Sequence, residues 1–284
     1  MAQTRAIGKR IKSIKNIAKI TKAMEMVAAS KMKRAQERGL SGRPYTEKIE
    51  QVIADMSAIE GTNFHPLLEH REVKNIALIH ITPDRGLCGG LNGNINRMTG
   101  KYLLEEKKPV MIIAVGRKGR DFMRQHTSNI IAEFLQLSDQ PSLIDTLPIS
   151  RIIIDEYKAS NIDEVYVVYP RFVSTIVQNP VMKKLLPVEP AEIKSSENVD
   201  YLYEPNAQEV LDQLLPRYVE IQIYHAVLET IASEHSARMV AMKNATDSAN
   251  ELVGSLTLLF NKARQETITN ELLEISGGAA ALTD

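Results

Sequence analysis

The residues with the clearest capacity for chemistry lie in the glycine-rich segment DRGLCGGLNGN, residues 84–94, between a predicted strand and a predicted helix. Glycines at such a junction can bring backbone amides close to a phosphate. The segment matches neither G-x-G-x-x-G nor G-x-x-x-x-G-K-[ST], and no lysine is placed for a terminal phosphate. The next predicted strand ends in GRKG, without an acid for a ribose. We therefore interpret the segment as a tight turn whose glycines allow close approach to a neighbour.

The other reactive side chains do not form a catalytic pattern. Cys88 is the single cysteine and no histidine is fixed beside it, so a buried core residue is the favoured interpretation over a thiol nucleophile. An unpaired cysteine also fits a reducing compartment. His225 and His235 are too far apart for the i, i+4 spacing of helical metal ligands. We predict no metal, no cofactor and no catalytic residue.

The elements around these residues are dominated by a long C-terminal helix. Residues 217–275 contain no proline, and from Leu211 to Ala263 mostly apolar or small residues fall alternately three and four apart. This spacing is the seam of a coiled coil. At about 1.5 Å per residue the helix would reach roughly 90 Å, whereas a compact chain of this size has a radius of gyration of about 19 Å. The helix must therefore pack along another element, which suggests an assembly or mechanical role.

The N-terminal segment predicts a complementary helix over about residues 3–38. Eleven basic residues against Glu25 and Glu37 give residues 1–40 a charge of about +9, and residues 207–284 carry about −6. Opposite charges favour antiparallel pairing of the two helices. A second apolar stripe, Ile17, Ile20, Met24 and Val27, requires a partner outside the chain or a surrounding sleeve. Gly39, Gly42 and Pro44 predict a break, with Ser41 capping a further helix to about Ile59.

Between the helical ends, apolar strands alternate with helices and predict a mainly parallel sheet covered on both faces. The predicted strands are at 76–82, 110–115, 129–134 and 165–169, followed by 172–177 and a stretch ending near Val188. The predicted helices are at 91–106, 116–125 and 143–159. Polar linkers are predicted at 60–74 and 187–206. The expected domains are an N-terminal coiled-coil helix at 1–59, a Rossmann-like α/β domain at 75–188, and a C-terminal coiled-coil helix at 207–284.

Composition excludes some functions and leaves others open. The chain has 44% hydrophobic and 25% charged residues, typical of a folded domain, and no apolar run long enough to span a bilayer. Its beginning lacks a secretory signal. A nucleotide-binding α/β enzyme with helical arms is one alternative, and a basic nucleic-acid or membrane adaptor is another. The lysines of the first helix lie all around it without aromatic stacking groups, which argues against nucleic acid.

Five strings carry a family resemblance: ITKAMEMVAASKM (20–32), DRGLCGGLN (84–92), YLYEP (201–205), ARMVAMKNAT (237–246) and NKARQETITNELLEI (261–275). In this order they resemble the γ subunit of bacterial F-type ATP synthases over essentially the whole chain. The resemblance implies an antiparallel coiled coil of the terminal helices with an inserted Rossmann-like α/β domain. It also implies a non-catalytic central rotor stalk that couples ion (proton) flow to ATP synthesis or hydrolysis on the β subunits.

The resemblance further implies partners and contact residues. The expected partners are three α and three β subunits around one copy of this chain, the ε subunit and the membrane c-ring, at the cytoplasmic face of a bacterial membrane. The coupling or partner-contact positions it implies are Met24, Arg238, Arg264, Gln265, Thr269 and Glu271. The c-ring foot it implies comprises Arg43, Tyr45, Tyr203 and Glu204. The cysteine pair of the chloroplast type is absent, so that form of thiol regulation is not expected; Pro83 replaces a small polar residue of the family.

Overall fold

A computed structural model describes residues 2–57, 65–126, 129–189, 204 and 206–281 of the chain. In chain order its elements are α1 (Ala2–Ser57), β1 (Ile76–Ile81), α2 (Leu91–Glu105), β2 (Val110–Val115), α3 (Arg117–His126), β3 (Ile130–Phe134), α4 (Leu143–Lys158), β4 (Glu164–Phe172), β5 (Gln178–Leu186) and α5 (Ala207–Ala281). The contacts divide the chain into two compact units, residues 1–28 with 239–284, and residues 29–238. Of the predicted linkers, residues 60–64, 190–203 and 205 lie outside the described residues, whereas residues 65–74 form neither helix nor strand and bury Leu67 in the core.

The second unit is built on a mixed sheet with the strand order β3-β2-β1-β4-β5. β1 pairs in parallel with β2 and β4, and β2 pairs in parallel with β3. β5 is antiparallel to β4. The predicted strand at 172–177 is wrong, because residues 173–177 form the hairpin turn, where the Val173 amide donates to the Val177 carbonyl at 3.2 Å.

Helices cover both faces of this sheet, as the strand composition predicts. Alternate strand residues point to opposite faces, and all six residues of β1 are buried. One face packs against α4 and the parts of α1 and α5 in this unit, through Ala77, Ile79, Ile113, Val167, Ile53, Ile153 and Val219. The other face packs against α2 and α3, through Leu78, Ile95, Val168, Ile112, Ala114 and Met123.

The predicted helix break at Gly39–Pro44 is wrong, since α1 continues through Pro44. Proline removes one backbone hydrogen bond and costs a helix about 3 kcal/mol. Here Ala35 on one side and Ile53 and Met56 on the other are buried in the same core, which holds both halves in one direction. The Ser41 hydroxyl does not cap a new helix; it donates to the Arg38 carbonyl at 2.8 Å within α1.

The first unit is an antiparallel pair formed by residues 2–28 of α1 and residues 239–281 of α5. The Thr21 hydroxyl lies 2.7 Å from the Thr246 hydroxyl, and a Cβ on Gly8 would lie 3.6 Å from the Phe260 ring. Residues later in α1 therefore meet residues earlier in α5, as in an antiparallel pair. Ile14, Ala18, Ala249 and Leu256 form its buried seam. The coiled-coil spacing read from the sequence is confirmed.

Much of the first unit's surface remains outward-facing. The second apolar stripe is largely exposed, with Ile17, Ile20 and Val27 at 49%, 59% and 54%. The described basic residues of this part of α1 are exposed as well: Arg5, Lys9, Arg10, Lys12, Lys15, Lys19 and Lys22. Lys22 pairs with Glu25 within α1 at 3.0 Å. Among the described residues of this unit no ion pair joins the two helices, so the expected electrostatic pairing is not made by direct contacts here.

Candidate functional site

The glycine-rich turn after β1 is shaped by backbone conformation. Leu87 and Gly89 have φ values of 62° and 59°, and Leu87 is exposed. We expected these glycines to lie close to a neighbouring segment of backbone. The close contact is made instead by a glycine of GRKG, residues 116–119, directly after β2. At Gly116, φ is 91° and a Cβ would lie 1.8 Å from the Thr82 carbonyl oxygen. The turn is therefore structural, with the tightest contact outside the predicted segment.

The position where an α/β sheet usually binds a ligand is filled by the chain's own α5. Such ligands bind at the carboxyl ends of the strands where the strand order reverses, which here lies between β1 and β4. The Ser233 hydroxyl donates to the Pro170 carbonyl at 2.9 Å, and Arg238 donates to the Gly86 carbonyl at 3.1 Å. The cavity left between α5 and the ends of β1 and β2 is about 40 Å³. Small-ligand pockets usually have about 300 Å³ or more.

Arg238 lies at the centre of this contact and is only 9% exposed. Its guanidinium donates to Glu234 Oε1 at 2.6 Å and lies 3.3 Å from His235 Nδ1. Burial raises the pKa of Glu234 above its usual range, and the adjacent Arg238 charge opposes that rise. The arrangement is a buried ion pair that fastens α5 to the turn after β1.

His235 is held neutral beside this pair. Burial lowers its pKa to about 4, against the opposing effect of Asp139. Because Nδ1 faces a guanidinium donor, the ring proton is on Nε2, which lies 3.6 Å from Asp139 Oδ1. Nε2 is buried without a hydrogen-bond partner among the described residues.

Cys88 is buried in the core on the α2 side, as predicted. Burial raises the pKa of its thiol, which opposes the thiolate needed for nucleophilic chemistry. His225, on the seam of α5, lies 2.9 Å from the Thr46 hydroxyl on α1. No group of His, Cys, Asp and Glu within the described parts of the chain could hold a metal ion.

The partner-contact residues inferred from the resemblance lie in different environments. Met24 is half-buried on α1, and Arg264, Gln265, Thr269 and Glu271 are exposed on α5 in the first unit. The Thr269 hydroxyl donates to the Gln265 carbonyl at 2.9 Å within the helix. Arg238 belongs to the second unit and is buried. The exposed set is available to a partner, whereas the contacts of Arg238 are to residues of its own chain.

The residues inferred for a c-ring foot belong to the second unit. The backbone of Arg43 lies in α1, Tyr45 is 54% exposed on the same helix, and Glu204 is exposed shortly before α5. Tyr203 lies outside the described residues. The Glu220 carboxylate, and to a lesser extent Tyr45 on α1, raise the pKa of Arg217 on α5.

Sequence reasoning missed Glu234, Asp139 and His80. The i, i+4 spacing of Glu234 and Arg238 was a usable signal for the ion pair. His80 is fully buried in β1 between Asn96 and Thr99, each at 3.0 Å from a ring nitrogen. The sequence around His80 shows only a histidine in an apolar strand, and no local pattern predicts that side chains of the following helix bind its ring.

None of the helices, over the residues described, combines the length and apolar character required to cross a membrane.

Comparisons with known proteins agree over the full length. A family model described as ATP synthase matches residues 3–282. The ATP synthase gamma chain of Dehalococcoides mccartyi strain CBDB1 is 61% identical and covers 99% of this chain and 100% of its own length. That of Roseiflexus sp. strain RS-1 is 50% identical, with 100% of both chains covered.

Solved structures share the fold at low identity. A chain from the Euglena gracilis mitochondrial ATP synthase (OSCP/F1/c-ring, rotational state 3) has a TM-score of 0.68 at 20% identity, covering 99% of this chain and 95% of that one. A chain from the central stalk and c-ring of the Tetrahymena thermophila enzyme has a TM-score of 0.62 at 24% identity, covering 80% and 99%. With a full-length family match and relatives at 50–61% identity, the chain belongs to the ATP synthase gamma-chain family.

Proposed function

We propose that this chain is the central rotor stalk of an F-type ATP synthase, which couples transmembrane ion flow to ATP synthesis or hydrolysis on partner subunits. The observation that carries the proposal is the coiled coil of the first unit. Its helices bury one seam against each other and leave Ile17, Ile20 and Val27 exposed beside a row of cations. An exposed apolar stripe rimmed by charge is typical of a protein interface. A surrounding ring of other chains is the partner that fits it.

The proposed partners are the α and β subunits around this coiled coil, together with ε and the membrane c-ring. Relatives at 50–61% identity are named ATP synthase gamma chain. Exposed Arg264 and Gln265 are the proposed contacts to a β subunit, with Thr269 and Glu271 one to two turns further along α5. Met24 is proposed to contribute through the half-buried edge of the second stripe. Polar contacts at an exposed helix surface can break and re-form as the shaft turns, which deeply interlocked apolar contacts cannot.

Arg238 has a different proposed role in coupling. Its ion pair with Glu234 and its hydrogen bond to Gly86 fix α5 to the α/β unit. Arg43, Tyr45, Tyr203 and Glu204 are proposed to form the surface that meets the c-ring. This would place the chain at the cytoplasmic face of a bacterial membrane, as a peripheral component of the complex.

The chain itself is proposed to be non-catalytic. α5 occupies the crevice in which an α/β enzyme would bind a nucleotide, and the remaining cavity of about 40 Å³ is too small for one. The Cys88 thiol is buried, and so are the rings of His65, His80 and His235, so none of these groups is accessible to a substrate. ATP chemistry is assigned to the β subunits. A nucleotide-binding enzyme remains the alternative, and equilibrium dialysis of the isolated chain with ATP separates the two, because tight binding favours the enzyme.

Reconstitution tests the proposal directly. The chain is mixed with purified α and β subunits and ATP hydrolysis is measured with and without ε. We expect the chain to stimulate hydrolysis and make it sensitive to ε. An Arg264→Ala, Gln265→Ala double variant should stimulate less, whereas Lys262→Ala, an exposed neighbour on the same helix, should behave as the unmodified chain. Absence of stimulation by the unmodified chain would contradict the proposed function.

A further inference from the structure

Three consecutive residues between β3 and α4 contact both long helices of the second unit. Asp139 Oδ2 accepts a hydrogen bond from Lys31 Nζ on α1, and Gln140 Oε1 accepts one from Arg38 at 2.7 Å, also on α1. The Pro141 carbonyl accepts a hydrogen bond from the Tyr224 hydroxyl on α5 at 3.3 Å. We call residues 139–141 the strap.

Asp139 makes the strap's connection to both helices through one carboxylate. Its Oδ2 meets Lys31 on α1, and its Oδ1 lies 3.6 Å from His235 Nε2 on α5. His235 is 2% exposed, and at 3.6 Å its Nε2 makes a close polar approach to this oxygen but not a hydrogen bond.

The strap lies between two hydrogen-bonded points of the α/β framework, five residues after the end of β3 and directly before the N-cap of α4. On one side, the last residue of β3, Phe134, accepts a hydrogen bond from the Gly116 amide at 2.8 Å. On the other side, Ser142 and Asp145 form a capping box at the start of α4, with bonds of 2.7 and 2.9 Å. Together with its contacts to α1 and α5, this placement leaves the strap less freedom than an unattached loop.

The contacts of the strap contribute too little to the free energy of unfolding for stability to be their main effect. The side chains of Lys31 and Asp139 are 36% and 47% exposed. Ion pairs at that exposure contribute little to the free energy of unfolding. Contacts to two different helices from one short segment instead constrain how those helices move relative to the sheet. Constraint of this kind matters for a part that transmits torque.

We propose that the strap is a positioning element for energy coupling, with Asp139 as its principal residue, and this rests on the proposed rotor function. The strap holds the parts of α1 and α5 in the second unit at a fixed angle on the sheet, so that torque passes between the sheet and these parts of the helices without slip. Loss of the carboxylate permits slip, in which ATP is hydrolysed without ion transport.

The experiment uses the complete ATP synthase, assembled with this chain and reconstituted in vesicles. ATP-driven ion uptake is measured, together with ATP hydrolysis in the presence of an ionophore and at the maximal ion gradient. Hydrolysis at the maximal gradient reports slip, because coupled turnover has stopped. Asp139→Asn should raise this slip hydrolysis about two- to fivefold, the change in population expected when an exposed ion pair is lost. Ionophore-released hydrolysis and the Tm of the complex should stay unchanged.

Matched variants define the outcome. Asp139→Glu keeps a carboxylate and should restore most of the coupling, and Lys31→Gln should reproduce the slip. Lys33→Gln, two residues along α1 and highly exposed, and Asp155→Asn on α4 should leave slip unchanged. Slip in Asp139→Asn equal to the unmodified complex would overturn the proposal. So would a parallel fall in Tm and ionophore-released hydrolysis, which marks a merely structural role. Failure of the unmodified complex to take up ions would instead contradict the proposed rotor function.

Discussion

Replacement of Arg238 by methionine tests whether this guanidinium acts mainly by neutralising Glu234. Methionine keeps most of the apolar stem but removes the bond to Glu234 at 2.6 Å and the bond to the Gly86 carbonyl at 3.1 Å. The Glu234 side chain is 12% exposed, so its charge would remain buried without a counter-ion. Removal of one partner of such a pair costs about 3 to 5 kcal/mol of unfolding free energy.

A second substitution separates the buried charge from the lost packing. In the Arg238→Met, Glu234→Gln double variant no unpaired charge remains, and about 1 kcal/mol of destabilisation should persist from the lost contacts to the Gly86 carbonyl and His235 Nδ1. The double variant should therefore be more stable than the single one by about 2 kcal/mol or more. Urea unfolding of the isolated chain, followed by far-ultraviolet circular dichroism, measures both differences.

The destabilisation caused by Arg238→Met should also depend on pH, in a direction set by the pKa of Glu234. Burial already raises the folded-state pKa of Glu234, and removal of Arg238 takes away the charge that opposes that rise. A carboxyl group whose folded pKa is raised binds a proton more readily in the folded state, so its penalty shrinks as pH falls. The stability gap between the single variant and the unmodified chain should therefore narrow from pH 7.5 towards lower pH. Equal destabilisation of the single and double variants, or a gap independent of pH, would refute the reasoning.

Two further predictions concern the sheet. Burial lowers the pKa of His80 to about 4. The neutral ring therefore contributes to the free energy of unfolding in full above pH 6.5, and on the order of 3 kcal/mol of this contribution is lost as pH falls towards 4. Urea unfolding at pH 7 and pH 5 should show a smaller decline in stability for His80→Gln than for the unmodified chain. Gly116→Ala should cost about 3 kcal/mol or more, because φ is 91° and the Cβ would overlap the Thr82 carbonyl. Gly93→Ala, within α2 with open space around its Cβ, should instead stabilise by about 0.5 kcal/mol, and comparable losses in both glycine variants would contradict the steric argument.

The parts of the fold predicted from the sequence are those set by local periodicity. The three-and-four spacing from Leu211 to Ala263 follows the seam of α5, where every such position is buried or half-buried. The alternation of apolar strands and helices likewise predicted the mainly parallel sheet, because residues 76–81 are apolar throughout apart from His80 and are buried on both faces.

The parts that local patterns could not supply depend on contacts between distant residues. Pro44 indicated a break in α1, yet burial of Ala35 and Ile53 in one core keeps the helix continuous. The contact between Lys31 and Asp139 joins residues 108 positions apart, and no spacing rule connects them. The partner-contact positions Arg264 and Gln265 are exposed and uniform in environment, so their assignment still depends on the family resemblance.

Polar residues within the apolar seam explain how the antiparallel register is specified in each unit. In the first unit Thr246 meets Thr21 at 2.7 Å, and in the second His225 meets Thr46 at 2.9 Å and Gln222 meets Glu50 at 3.1 Å. Apolar seam residues would pack almost as well after a shift of one heptad, but Thr21 would then face Met239 or Val253. An unsatisfied buried polar group costs about 1 to 3 kcal/mol, so the polar pairs select a single register while the apolar residues supply most of the attraction. For a helix pair that must keep one register under torque, this selection matters more than additional stability.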